Sequence, residues 1–192
     1  ILAEIVGYGT NCDGLHITAP SEPGMRDAMV RSLRDARLGP ERVDYVNAHG
    51  TATDIGDVAE SKATFDVFAR AVPISSTKSF TGHTMGACGA IEAAFSLSML
   101  REGFLAPTRN LGEVDPRCAA LDYVREVREA SPAIIMSNNF AFGGVNTSLL
   151  LAQVALTQPS FLHASWHGSG LVEGIFGFPH PATHRASYGQ VS

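Results

Sequence analysis

The sequence predicts a layered α/β domain. Two observations carry the prediction. Apolar, strand-like runs alternate with segments of helical periodicity, and polar loops rich in chemically useful side chains follow directly after the strands. A third observation refines it: the last two strand-like runs flank a tight Phe-Gly-Gly turn, as an antiparallel hairpin does.

Residues 1–8 are rich in β-branched side chains and read as the first strand, ending at Gly7 and Gly9. A polar loop leads to a helix over 22–37, because Met25, Ala28, Met29, Leu33 and Ala36 recur three or four apart; Gly39-Pro40 ends it. Residues 43–47 form a short strand that points Val43 and Tyr45 one way and Val46 the other. Asp54 is placed to cap the next helix, which runs to Phe68 or Arg70. Residues 73–75 are a strand. A helix rich in small residues follows over 82–101, with Gly86, Ala87, Gly89, Ala90, Ala93 and Ala94 permitting close approach of another backbone and Gly103 as its stop. Residues 104–107 and 121–124 are short extended pieces, and 133–136 and 145–151 are the hairpin strands.

The domain so predicted spans 1–152. The tail, 153–192, lacks sustained periodicity and holds four of the seven histidines, five glycines and the only tryptophan, Trp166. We expect it to be loosely structured or an appended segment of separate role.

Composition narrows the function. With 45% hydrophobic and 17% charged residues the chain reads as an ordinary soluble protein, and a net charge of −5 opposes nucleic-acid binding by charge alone. The apolar stretch 93–100 is too short for a membrane span and holds two serines. Neither a signal peptide nor an initiator Met opens the chain, so we expect a fragment or processed product. Cys12, Cys88 and Cys118 form no CxxC pair and no zinc-like cluster, which fits a reducing, cytoplasmic setting without metal or cofactor.

Three loops carry the chemistry: 47–53 with His49, 76–83 with Lys78 and His83, and 138–144 with Phe140 and Phe142. Each follows an apolar strand, so all three can converge at one end of the sheet. A single histidine in a glycine loop is structural more often than catalytic, and a lone loop lysine is ordinarily solvated. Two histidines and a lysine in two of three similar loops favour a shared pocket. Neutral imidazoles donate to a developing oxyanion, and a nearby ammonium opposes charging of the rings. His83, read as opening the 82–101 helix, is expected to be kept neutral by the helix dipole as well. Glu92 reads as a buried carboxylate held by backbone donors.

These motifs resemble those of the elongating β-ketoacyl-acyl-carrier-protein synthases. His49-Gly50-Thr51-Ala52-Thr53 followed by Asp57 is similar to the family's H-G-T-x-T…G-D, residues 78–89 to its K-x-x-x-G-H-x-x-G-A-x-G, and residues 138–144 to its N-x-F-G-F-G-G turn. The resemblance covers residues 1–151 and implies the C-terminal half of a thiolase-like α/β/α fold, a mixed sheet flanked by helices. It further implies decarboxylative Claisen condensation of a malonyl thioester with an acyl-enzyme in fatty-acid or polyketide synthesis. His49 and His83 would be the paired catalytic histidines and Lys78 their support. Thr51 and Thr53 would contact the pantetheine arm, and Phe140 and Phe142 would form a gate. Glu92 and Asp57 would give structural support.

The implied partners are acyl carrier protein bearing an acyl- or malonyl-phosphopantetheine, an N-terminal half and a second copy in a homodimer. The family's nucleophilic cysteine lies in that other half, so this chain alone is expected to be inactive. Cys88 stands where the family has a small residue and reads as packing. Ala141 replaces a usual glycine of the turn. The alternative reading is a non-catalytic chain-length-factor-like partner subunit, which retention of His49, Lys78 and His83 disfavours.

Overall fold

The computed structural model describes residues 1–154; the expectations for the tail lie outside the described residues. The elements along the chain are β1 (Glu4–Cys12), α1 (Glu22–Ala36), β2 (Tyr45–Asn47), α2 (Gly56–Phe68), β3 (Pro73–Ser75), the single turn α3 (Lys78–Thr81), α4 (Cys88–Glu102), β4 (Phe104–Leu105), β5 (Asp122–Tyr123), β6 (Arg128–Glu129), β7 (Ile134–Ala141) and β8 (Val145–Ala152).

Six strands make one mixed sheet in the order β1-β8-β7-β2-β3-β5. The hairpin pairs β7 and β8 antiparallel, and β1 adds to β8 antiparallel; β7, β2, β3 and β5 run parallel. β4 and β6 form a separate two-stranded ribbon. Alternation of side chains across the strands sorts the two faces. Val46, Ile74, Met136 and Leu150 pack with Met25, Met29 and Leu33 of α1 and with Ala63 and Phe68 of α2. From the opposite face, Asn47 donates to the carbonyl of Glu92 and to Ser96 Oγ on α4. The result is a mixed sheet flanked by helices, as the sequence predicts.

Local chemistry sets most boundaries. Ser21 accepts from the Gly24 amide at the start of α1, and Arg37, at φ 56°, closes it before Gly39-Pro40 is reached. Several expectations need correction. The first strand runs on to Cys12, because its pairing with β8 continues there. Val43 lies before β2, extended but directly after a 3₁₀ turn over Pro40–Arg42, and packs in the same cluster as Val46, so strand alternation does not extend to it. Asp54 does not cap α2: the helix begins at Gly56 with no side-chain cap, and the exposed Asp54 pairs with Arg117 instead. The small-residue helix starts at Cys88, after a 3₁₀ turn over Met85–Ala87. His83 therefore stands outside that helix, and the helix-dipole argument made for it lapses.

Candidate active site

The loops after β2 and β3 bring His49 and His83 together at the end of the parallel strands. The two imidazole rings lie edge to face, with centroids 5.6 Å apart and planes at 86°. Phe140, near the end of β7 and buried, sets its ring 6.1 Å from that of His49. Lys78 opens the single turn after β3, and its Nζ lies 3.3 Å from His49 Nδ1.

Lys78 is itself buried and forms an ion pair with Glu92 of α4. The other carboxylate oxygen of Glu92 accepts from Asn139 Nδ2 at 2.7 Å. Burial pushes the Glu92 carboxyl upward, and the Lys78 ammonium and the Asn139 amide oppose that. The pair is satisfied on both sides, as a buried charge requires. An ammonium donates and does not accept, so the Lys78 contact makes His49 Nδ1 an acceptor and leaves the ring's proton on Nε2. Burial first, then Lys78, then His83, drive the His49 pKa down to about 3. His49 is thus a neutral Nε2–H donor across the physiological range.

A second buried carboxylate holds the His49 loop from beneath. Glu60 of α2 accepts from the His49 amide through Oε1 and from the Gly50 amide through Oε2, each at 2.8 Å. Burial raises it to about 7, against the pull of those amides. Sequence reasoning missed Glu60. The available signal was its helical spacing: Ala63 and Thr64, three and four residues on, point into the core, so Glu60 shares their face.

Gly50 sits at φ 31°, and a Cβ there would lie 2.6 Å from that of Ser76, whose hydroxyl donates to the Gly50 carbonyl. Ala52 and Met85, at φ 58° and 54°, are non-glycine residues in the left-handed region, one in each histidine loop. Strain of this kind concentrates at functional sites.

His83 is solvent-facing, and its Nδ1 accepts from the Met85 amide at 3.0 Å. Its proton is therefore also on Nε2. Thr51 and Thr53 set their hydroxyls 3.1 Å apart at the surface of the first loop. Asp57 is part-buried, and one of its oxygens has no hydrogen-bond partner. Burial raises its pKa, opposed by the nearby amides of Ala52, Thr51 and Thr53. Phe142 is 70% exposed on the hairpin turn, unlike Phe140. The turn depends on Gly143 and Gly144, at φ 77° and 78°, whereas Ala141 is extended at φ −94°, a geometry any residue adopts. Among the described residues, no group of three or more His, Cys, Asp or Glu gathers as metal ligands.

Chemically, the arrangement is two neutral imidazoles, each with its acceptor nitrogen engaged by the protein and its Nε2–H free to donate. One is backed by a buried cation. Such a pair is suited to stabilise charge on a carbonyl oxygen.

Residues 2–112 match the family described as beta-ketoacyl synthase, C-terminal domain. The chain is 46% identical over 160 residues to 3-oxoacyl-[acyl-carrier-protein] synthase 2 of Coxiella burnetii, a match covering 80% of this chain and 38% of that protein. It is 44% identical over 156 residues to 3-oxoacyl-[acyl-carrier-protein] synthase 1 of Escherichia coli K12, covering 80% and 37%. A crystal structure of a beta-ketoacyl synthase from Burkholderia phymatum superposes with a TM-score of 0.79 at 55% identity, covering 80% of this chain and 38% of that one. A type II polyketide ketosynthase solved in complex with its acyl-carrier protein gives a TM-score of 0.75 at 31% identity, covering 80% and 39%. The chain thus spans less than two fifths of the length of these relatives.

Proposed function

The chain belongs to the β-ketoacyl synthase family, and from that premise we propose that it supplies the decarboxylation half of a β-ketoacyl-acyl-carrier-protein synthase site. The observation that carries the reading is the pair of neutral imidazoles with centroids 5.6 Å apart, each with its Nδ1 engaged. In the reaction, both Nε2–H groups donate to the thioester carbonyl oxygen of a malonyl group. The C–C bond to the carboxylate breaks, carbon dioxide leaves, and its electron pair becomes an enolate held by the two imidazoles. The enolate carbon then attacks an acyl thioester carried on a cysteine outside this chain, displacing the cysteine thiolate. Lys78 holds His49 in the donor tautomer, and Glu92 holds Lys78.

Thr51 and Thr53, with exposed or half-exposed hydroxyls beside His49, suit contact with a pantetheine arm. Phe140 walls the site, and the exposed Phe142 on a glycine turn suits a gate. Asp57 faces the backbone of the threonine loop and steadies it. The substrate-bearing partner is an acyl carrier protein, and the working assembly is a homodimer of the complete protein in the cytoplasm. The intact His49, Lys78, His83 and Glu92 constellation supports an enzyme over a non-catalytic partner subunit.

The test is carbon dioxide release from malonyl carrier protein by the full-length protein. Removing one oxyanion donor costs on the order of 10²–10³ in rate, so His49→Ala and His83→Ala should each lose about that much. Loading of the nucleophilic cysteine should survive. Decarboxylation unchanged in either variant would refute the assignment.

A further inference from the structure

We propose that Cys88 is a positioning residue for His83, its thiol hydrogen directed at Nδ1 so that the ring's proton stays on Nε2. The inference rests on the reading of His83 as an oxyanion donor. Cys88 begins α4 and is 1% exposed, and its Sγ lies 3.2 Å from His83 Nδ1. The direction of this bond is fixed by a neighbour. The Met85 amide donates to the same nitrogen at 3.0 Å, so Nδ1 carries no hydrogen and the thiol must be a second donor that shares its one lone pair with that amide. The sulfur in turn receives the Thr84 hydroxyl at 3.4 Å. Thr84 O–H, Cys88 S–H and His83 Nδ1 thus form a chain in which each donor polarises the next. The same argument excludes a thiolate–imidazolium pair, which would need a hydrogen on Nδ1 and would leave the Met85 amide facing it.

The contact answers a weakness in the site. The Nδ1 of His49 is engaged by Lys78, a buried side chain, whereas His83 faces solvent and depends on the amide of Met85. Met85 is itself exposed and held at φ 54°, in the left-handed region that strains a non-glycine residue. If the loop relaxes, that amide turns away. Cys88 is carried by the first turn of α4, so its donor stays in place. An alanine in its place would remove this second clamp and leave the tautomer to the strained loop.

The experiment is two-bond ¹H–¹⁵N correlation on the full-length protein labelled with ¹⁵N-histidine, with malonyl decarboxylation and cysteine loading measured in parallel. In the wild type, His83 Nδ1 should be unprotonated and hydrogen-bonded. Cys88→Ala should move that resonance toward the free-acceptor value and raise the Nδ1–H tautomer, with the His49 signals unchanged as a check on folding. Decarboxylation should fall about three- to tenfold, the range for one hydrogen bond lost, with loading unaffected. Cys88→Ser, which keeps a donor, should restore the resonance and most of the rate. Thr84→Val should shift the resonance in the same direction by less, and carries the test should Cys88→Ala fail to fold. A protonated Nδ1 in the wild type, or a His83 resonance unmoved by these changes, would overturn the proposal. If the wild type releases no carbon dioxide, the functional reading fails, while the nitrogen resonances still decide the role of Cys88.

Discussion

Replacing Glu60 with glutamine should change how stability depends on pH, and the sign follows from the structure. Burial holds the Glu60 carboxyl at about 7, against 4.5 for an exposed group. The folded state therefore binds a proton that the unfolded chain has already released. The stability this contributes is complete below about pH 4.5 and is lost as pH rises through about 7. The difference between those two values corresponds to about 3 kcal/mol. Glutamine does not titrate, so Glu60→Gln removes the dependence. It also turns one amide N–H toward a backbone N–H, because His49 and Gly50 both donate to the native carboxylate. That leaves a buried donor unpaired, at about 1–3 kcal/mol. Urea unfolding of both proteins at pH 5 and pH 8 isolates the effect, since titrating groups not coupled to Glu60 cancel in the difference. The wild type's stability relative to the variant should fall by about 2–3 kcal/mol between the two conditions, a little less than the full difference because the loss has begun by pH 5. A difference constant within about 0.5 kcal/mol would refute the reasoning, because Glu60 would then not exchange its proton in this window.

Lys78→Ala should orphan the buried Glu92 carboxylate and cost about 3–5 kcal/mol in unfolding free energy, much of it recovered when Glu92→Gln is added. In the full-length protein it should abolish most malonyl decarboxylation while cysteine loading survives; equal loss of both would make Lys78 a general structural support. Gly50→Ala combines a backbone at φ 31° with a Cβ 2.6 Å from that of Ser76. It should cost about 2–4 kcal/mol in thermal or urea unfolding, and a neutral result would mean the loop has slack that the geometry denies.

Much of this was legible in the residues, for physical reasons. Period-two and helical spacings marked the strands around Val46, Ile74 and Leu150 and the inner face of α1, because those side chains are the ones the core buries. The convergence of His49, Lys78 and His83 followed from loops placed after parallel strands. Less legible were features that depend on distant partners. Asp54 looked like a cap, but its partner is Arg117, far along the chain. The helix bearing Cys88 starts later than its composition suggests, because Met85 takes a left-handed backbone and the chain passes first through a 3₁₀ turn. Helical spacing puts Glu60 on the inner face of α2, but its partners, like the contact of Asn139 with Glu92, lie in other segments and no local pattern displays them.

The central claim is that His49 and His83 share one carbonyl oxygen, and a crystal structure of the full-length protein with a non-cleavable malonyl-thioester analogue tests it most directly. The account predicts that oxygen within about 2.7–3.1 Å of both Nε2 atoms, the range for oxyanion donors, with Lys78 still on His49 Nδ1. A carbonyl oxygen bound to only one imidazole, or to Lys78 in place of either, would contradict it.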